Sequence, residues 1–298
     1  MSALKTEASP VRPPAGEPPA PVDRAPSGVP QATPPKRRGL FGPGIDLALG
    51  WAVLAAISLG AWEWAGQTGA ISKVFFSYPS AIASALVDGL RGNLITLDAR
   101  YTVISTVVGF AAAAVAGVLV AFGLSQVPYL RKLLSPIFTA FNSLPRVALA
   151  PLFVLWFGIG LLSHIVLAAS LTFFVVFANT MAGIESVDQD HLLLARLQGA
   201  DRWQTFKWFI VPSALPSIFV GLELGFIFAM LGTVSGEMIV GEAGFGVRLQ
   251  RDAGVFNTKG YFATLLVLVL LSSIASGLFQ LAKRPLVRWQ SVHLLRRT

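Results

Sequence analysis

Two ionisable side chains stand inside long apolar stretches of this sequence, where they could act as polar groups of a transport pathway. These residues are Arg146 and Glu237. An ionisable side chain is costly in lipid, so it usually faces protein or water. Each residue could therefore line a pathway or gate, or it could make an interior hydrogen bond or salt bridge, and the sequence leaves both roles open. Glu223 lies nearer the end of its apolar stretch, and we expect a structural role for it.

Residues suited to covalent or metal chemistry are few. The sequence contains no cysteine, and its three histidines, His164, His191 and His293, are far apart. Thiol catalysis, disulfides and cysteine-based metal sites are therefore excluded. The motifs GxxxxGK[ST], GxSxG and HExxH do not occur, so the chain lacks the residues for P-loop ATP hydrolysis or intramembrane hydrolysis. We predict no catalytic residue, cofactor or metal, and we expect the energy for uphill transport to come from a partner protein.

The composition indicates that these residues are positioned by membrane-spanning helices. Of the 298 residues, 54% are hydrophobic and only 13% are charged, and the mean hydropathy is +0.66. Soluble domains carry roughly 25% charged residues, and a span of the hydrocarbon core needs about 20 apolar residues. We therefore predict an all-α polytopic membrane bundle of about six spans. The predicted spans are about 45–64, 101–126, 133–157, 161–183, 216–240 and 261–281.

Prolines interrupt the third of these spans. Pro145 stands near its middle, directly after 142-NSL-144. Because proline removes a backbone donor, we expect a helix break there. Asn142 and Ser143 are expected to bond the backbone groups that the break leaves without partners, rather than to contact a solute.

Small residues recur on one face of the second predicted span. Gly109, Ala113 and Gly117 are spaced four residues apart. This spacing lets helix backbones approach closely within a bilayer. It predicts tight helix packing and says nothing about a solute.

The basic residues predict the orientation of the chain. The segments 1–40, 127–132 and 185–212 and the C-terminus together carry 16 Lys and Arg, whereas the opposite side carries 6. Positive residues accumulate on the cytoplasmic side, so both termini are predicted to be cytoplasmic. Residues 1–40 hold ten prolines and are predicted to be a disordered tail without a signal peptide. Residues 41–298 form the predicted transmembrane domain.

The predicted cytoplasmic loop at about 185–212 has the signals of two short helices. The first helix is predicted over 192–198, and Gly199 is expected to end it in a left-handed conformation. Asp201 and Gln204 form a capping-box pattern for a second helix, which would run to about Trp208. Pro212 then begins the return into the membrane.

The second short helix would present aromatic side chains to a partner. Trp203 and Phe206 would lie on one side of it, flanked by Arg202 and Lys207. Exposed aromatic residues on a charged surface are unfavourable unless another protein covers them. We therefore expect Trp203 and Phe206 to contact a partner, although an ordinary amphipathic hairpin is the alternative.

This hairpin resembles the EAA loop of binding-protein-dependent ABC importer permeases. When the two are aligned on Gly199, Ala195 takes the place of the second alanine, and Pro212 takes the place of the final proline thirteen residues later. The sequence departs from the motif at Leu193 and Leu194, where the family has Glu and Ala. The resemblance implies an ATPase-coupling role for Ala195, Gly199, Asp201, Arg202, Trp203, Phe206 and Pro212.

Further segments are similar to the nitrate, sulfonate and taurine branch of these permeases. The resemblance covers most of residues 45–290 and implies the type I ABC importer permease fold. The segments that carry it are FSYPSAIASAL (76–86), SLPRVALAPLFVLWFGIG (143–160), GEMIVGEAGFGVRL (236–249) and KRPLVRW (283–289).

The resemblance also implies an assembly and a mechanism. Two permease subunits, as a homodimer or heterodimer, would form the pathway in a bacterial inner membrane. Two ATPase subunits would grip the coupling helices, and an external binding protein would deliver a small solute. That solute would be a nitrate-, sulfonate- or taurine-like anion, although relatives also carry aromatic or heterocyclic solutes. The alternatives are a secondary transporter or channel without an ATPase, and an assembly scaffold. The sequence provides no evidence for nucleic-acid binding.

Overall fold

The computed structural model describes residues 43–72, 74–92 and 94–287. The predicted tail, Lys73 and the residues after 287 lie outside this part of the chain. The chain divides into two units, one ending at Val53 and the other beginning at Leu54. The described residues of the first unit form the start of one long helix.

All regular structure in the described residues is helical, which confirms the all-α fold class. A 3-10 turn, Arg146–Leu149, precedes α5, and a π turn, Phe206–Ile210, joins α8 to α9. The helices are α1 (Pro43–Thr68), α2 (Pro79–Arg91), α3 (Leu94–Ser125), α4 (Pro128–Asn142), α5 (Ala150–Phe157), α6 (Leu161–Glu185), α7 (Gln189–Leu197), α8 (Arg202–Thr205), α9 (Val211–Val240), α10 (Phe245–Gly254) and α11 (Thr258–Val287).

Five helical stretches within the described residues are long and apolar enough to cross a membrane. Helices α4 and α5, with the 3-10 turn between them, form a pair bent by 79°, which becomes a sixth span if it is counted as one. The prediction of about six spans is confirmed. The broken third span is this bent pair, with Pro145 between its two arms.

The small-residue prediction is also confirmed, because α3 packs closely on α6. A Cβ atom placed on Gly109 would lie 2.7 Å from the Ile165 carbonyl oxygen and 2.8 Å from the Ala168 Cβ. A Cβ atom on Gly117 would lie 3.0 Å from the Phe173 carbonyl oxygen. These positions leave no room for a side chain, so the glycines set the separation of the two helices.

Helix α9 also approaches α6 closely. A Cβ atom on Gly232 would lie 3.1 Å from the Ala168 Cα. The Thr172 hydroxyl donates to the Gly225 carbonyl, 3.1 Å away, so a hydrogen bond joins the two helices. Helices α3, α6 and α9 therefore form the packed centre that carries both the α7–α8 hairpin and the loop after α9.

Candidate functional site

The first half of the loop between α6 and α9 ends in a Schellman motif, in which hydrogen bonds cap the C-terminus of a helix. The Ala200 N–H donates to the Ala195 carbonyl at 3.0 Å, and the Gly199 N–H donates to the Arg196 carbonyl at 3.0 Å. Gly199 has a φ of +81°, the left-handed conformation that this motif requires. Ala195 is buried. The expectation for Gly199 is confirmed, and this glycine sets the direction in which the chain leaves α7.

The second half of the loop begins with the expected capping box. The Gln204 N–H donates to Asp201 Oδ1 at 2.7 Å, and the Asp201 N–H donates to Gln204 Oε1 at 3.0 Å. Each side chain satisfies a backbone donor at the start of α8. The local sequence thus defines the angle between α7 and α8. We call the segment 189–210 the α7–α8 hairpin.

The second short helix was expected to end near Trp208, but it continues past this residue. The π turn continues α8 directly into α9, and the Val211 N–H donates to the carbonyl of Phe206, five residues earlier. Pro212 lies in the first turn of α9. Proline lacks an N–H group and its ring would crowd the carbonyl of Trp208 in an α-helix. A widened turn before Pro212 lets the helix continue without a break.

The two aromatic residues expected to face a partner differ in their surroundings. The Trp203 side chain is 67% exposed. Phe206 is half-buried, and its ring centroid lies 5.2 Å from that of Phe122 at the end of α3. Trp203 stacks on Phe206 with the centroids 5.7 Å apart. Phe206 therefore anchors the hairpin to its own chain, and Trp203 is the side chain left open to a partner.

Further apolar residues on the α7–α8 hairpin are exposed, and they were not predicted from the sequence to contact a partner. Trp208 is 66% exposed, and Leu193, Leu194 and Leu197 on α7 are also exposed. Leu193 and Leu194 occupy the places where the EAA motif has Glu and Ala. At these two positions, leucine side chains thus replace the glutamate and the alanine of the motif. Their departure from the motif was the signal that could have identified this surface.

Of the two roles that the sequence leaves open for Glu237, the structure shows the interior, hydrogen-bonded one. Its side chain has 0% exposure. The carboxylate accepts a hydrogen bond from the Thr102 hydroxyl, 2.9 Å from Oε1, and from the Gly246 N–H, 2.8 Å from Oε2. Thr102 in turn accepts from the Phe245 N–H at 2.9 Å. Glu237 and Thr102 therefore bond the first two backbone donors of α10, groups that a helix leaves unpaired.

The glycines of 241-GEAGFG-246 fold closely around this carboxylate. Gly244 has a φ of +113°, and its N–H donates to Asp98 Oδ1 at 3.2 Å. A Cβ atom on Gly246 would lie 2.6 Å from the Glu237 Cβ. Arg248 Nη1 lies 3.6 Å from Asp98 Oδ2. The segment is a tight turn, and the roles of Thr102, Asp98 and Arg248 were not recognised from the sequence.

Arg146 is half-buried at the bend between α4 and α5. One terminal guanidinium nitrogen, Nη2, donates to Asn142 Oδ1 at 2.7 Å and to the Phe141 carbonyl at 3.2 Å. The guanidinium carbon lies 4.1 Å from the centroid of the Phe174 ring. The Ser143 hydroxyl donates to the Thr139 carbonyl at 3.0 Å, but this carbonyl already accepts from the Ser143 N–H at 3.1 Å. Because Asn142 Oδ1 bonds Arg146, the expectation that Asn142 and Ser143 bond backbone groups left without partners is not confirmed. Arg146 thus caps the end of α4 while remaining partly open.

Glu223 makes the structural contacts expected for it. The Ser276 hydroxyl on α11 donates to Glu223 Oε1, and Gln280 Nε2 lies 3.5 Å from the same oxygen. These bonds join α9 to α11. Across the residues that the structure describes, no three His, Asp or Glu side chains are grouped so that they could hold a metal ion.

A spanning bundle with a capped helical hairpin before α9 can be compared with known families. Residues 113–288 match the family described as "binding-protein-dependent transport system inner membrane component". The chain belongs to this family. It is therefore a membrane-spanning permease component of an ABC-type transport system, in the inner membrane.

The relatives of this permease are named for different solutes. It is 31% identical to the riboflavin transport system permease protein RibX of Chloroflexus aurantiacus over 82% of this chain and 91% of that protein. It is 31% identical to the formylaminopyrimidine transport permease protein ThiX of Halalkalibacterium halodurans, over 65% of this chain and 77% of that one. It is 27% identical to the taurine transport system permease protein TauC of Escherichia coli, over 78% and 87%.

Solved ABC transporters share the fold of this permease. An inward-facing structure of the MetNI methionine ABC transporter aligns with a TM-score of 0.53 and 20% identity, over 70% of this chain and 99% of that one. An amino acid ABC transporter with histidines aligns with a TM-score of 0.54 and 18% identity, over 68% and 94%. At this identity, the similarity concerns the fold alone.

Proposed function

We propose that this permease forms the solute pathway of an ABC importer and that the α7–α8 hairpin couples it to a separate ATPase. The observation that supports the proposal most strongly is the exposed Trp203 on a doubly capped hairpin between two spans. Buried aromatic residues commonly dominate the binding energy of protein interfaces. The exposed indole is thus suited to insertion into a pocket of the ATPase.

The other coupling residues hold Trp203 in position. Gly199 sets the direction of the chain after α7, and Asp201 caps α8. Phe206 packs on Phe122 and fastens the hairpin to α3. Pro212 continues the hairpin into α9 through the π turn. Because the hairpin is continuous with a span, a force on it would be transmitted to the bundle.

Transport would then follow a two-state cycle. Two copies of this chain would enclose the pathway, and two ATPase subunits would bind the two hairpins. Closure of the ATPase pair on ATP would draw the hairpins together and switch the pathway from inward-facing to outward-facing, a rigid-body change. An external binding protein would supply the solute.

A P-loop ATPase and a binding protein should co-purify with the full-length chain from its native membrane. The expected result is an ATPase retained in mild detergent, because an aromatic anchor in a pocket keeps an interface together. Mass spectrometry of the purified complex identifies it. Solute uptake by the chain in vesicles that contain no ATPase would instead support the secondary transporter or channel.

The solute predicted from the sequence was a nitrate-, sulfonate- or taurine-like anion, and this stays a prediction. The relatives' named solutes fall into two chemical classes. Taurine and aliphatic sulfonates carry a sulfonate group, whereas riboflavin and formylaminopyrimidine contain flat heterocycles. We infer that this permease carries a small organic solute of one of these two classes.

The proposed orientation places the α7–α8 hairpin in the cytoplasm and the α2 end outside. The chain has no cysteine, so single cysteines at Gln198 and Arg91, both exposed, report on each side. In intact cells without the ATPase, an impermeant thiol reagent should label position 91 and spare position 198, because the positive side faces inward. Permeabilised cells are the control, and both positions should then react. Labelling of position 198 alone in intact cells would reverse the orientation.

A further inference from the structure

A cleft of about 240 Å³ lies between α4 and α6, outside the α7–α8 hairpin. One side carries three polar residues of α4, Ser135, Thr139 and Asn142. The other carries rings that include Phe174 and Phe177 of α6. The cleft runs from Arg131 to Asn142 along α4, which is about 17 Å at the rise of an α-helix. We call it the α4–α6 cleft.

The polar side of the cleft forms one strip. Ser135, Thr139 and Asn142 are spaced four and three residues apart, so they share a face of α4. All three are exposed. Hydroxyl and amide groups offer both donors and acceptors. The strip is therefore suited to the edge of a solute that itself carries both.

Rings from both helices stack along the cleft, Phe138 from α4 and Phe173, Phe174 and Phe177 from α6. Phe138 and Phe177 lie with centroids 4.5 Å apart and planes 19° apart. Phe177 and Phe173 are also nearly parallel, at 6.0 Å and 10°. Phe174 meets Phe138 edge-on at 6.1 Å. Planar π systems bind well to such surfaces through stacked and edge-on contacts.

The residues that line the cleft carry one pair of opposite charges, and a further cation lies beside it. Among the residues that line it, the only charged side chains are Arg131 and Glu185, and these form an ion pair with each other. The guanidinium of Arg146, next to the cleft, lies over the Phe174 ring and bonds Asn142. Within the described residues Arg146 makes no ion pair, so a sulfonate would have to pair with it at the edge of the cleft, whereas a neutral solute needs no cation.

We propose that the α4–α6 cleft binds a planar, uncharged nitrogen heterocycle as it crosses the permease. This inference rests on the proposed function, since the solute must reach the cleft through a transport pathway. The ring system packs against Phe138 and Phe174, and its polar edge bonds the strip of Ser135, Thr139 and Asn142. Such a heterocycle should bind in preference to taurine, which has no ring to pack on these side chains.

Binding of fluorescent flavins to the full permease–ATPase complex in lipid nanodiscs tests this directly. Riboflavin and lumichrome, its bare ring system, are expected to bind with quenched fluorescence, and excess taurine should not displace them. Phe174→Leu should weaken flavin binding at least about fivefold, as expected for the loss of one stacking partner. Asn142→Ala should weaken it by a smaller factor.

The matched control is Phe110→Leu, which removes a ring from a separate aromatic cluster with Phe226 and Phe279. It should leave flavin binding unchanged. Absence of binding by both flavins, displacement by taurine, or equal binding in Phe174→Leu and the unaltered protein would overturn the proposal. The last result would mean that flavin partitions into lipid. Failure of the ATPase to co-purify would instead contradict the importer assignment, so the two failures are distinguishable.

Discussion

Replacing Trp203 by alanine is expected to disconnect the permease from its ATPase without unfolding it. The side chain is 67% exposed, so its removal costs the folded chain little. Truncation of an aromatic anchor buried at an interface commonly costs about 2–4 kcal/mol. ATPase binding should therefore weaken by more than roughly tenfold. The ATPase retained on purification and the rate of solute uptake report this loss.

Trp64 provides a matched control for this substitution. It has the same exposed fraction, 67%, but lies on α1. Trp64→Ala should retain the ATPase fully. Equal retention by Trp203→Ala and Trp64→Ala would remove Trp203 from the interface.

Gly199→Val tests the direction of the hairpin independently of the indole. No atom lies within 4 Å of a Cβ placed on Gly199, so the substitution creates no clash. Its φ of +81° is nevertheless costly for a β-branched residue. The variant should insert normally into the membrane and still lose ATPase binding. Normal ATPase retention in this variant would show that the angle after α7 is unimportant for coupling.

The second large effect is expected at the buried carboxylate. Glu237→Ala would leave the Gly246 N–H and the Thr102 hydroxyl without their buried acceptor. Each such unpaired group costs about 1–3 kcal/mol, so the unfolding free energy should fall by about 2–6 kcal/mol. A lower unfolding temperature in detergent and a lower yield of folded protein would report this.

Gly246→Ala should destabilise the same turn, because its Cβ would approach the Met238 nitrogen to 2.9 Å. Gly254→Ala, in the same helix α10, is the matched control, since nothing lies within 4 Å of a Cβ there. The control should unfold at or above the temperature of the unaltered protein. Equal unfolding temperatures for Glu237→Ala and the unaltered protein would contradict the capping role and reopen the pathway role.

The features predicted well from the sequence are those decided by neighbouring residues. The capping box joins Asp201 and Gln204, three positions apart, and Gly199 acts through its own backbone. The spans follow from length and hydropathy alone. In each case the physical cause lies within a few turns of helix, so the local pattern carries the information.

The features that were missed depend on residues far apart in the chain. Glu237 meets Thr102 across 135 positions, and no periodicity reports such a pair. Phe206 was expected to face a partner, and its contact with Phe122 at the end of α3 could not be read from the pattern of the hairpin. The π turn before Pro212 also departs from the expected break, because a single proline permits either a break or a widened turn.

The most direct test of coupling through the α7–α8 hairpin is ATP hydrolysis by the complex reconstituted in lipid with its ATPase and binding protein. Loaded binding protein should stimulate hydrolysis by the unaltered complex and by Trp64→Ala. It should fail to stimulate complexes assembled at matched protein amounts with Trp203→Ala or Gly199→Val. Full stimulation in both hairpin variants would contradict the proposal that this hairpin joins the permease to its ATPase.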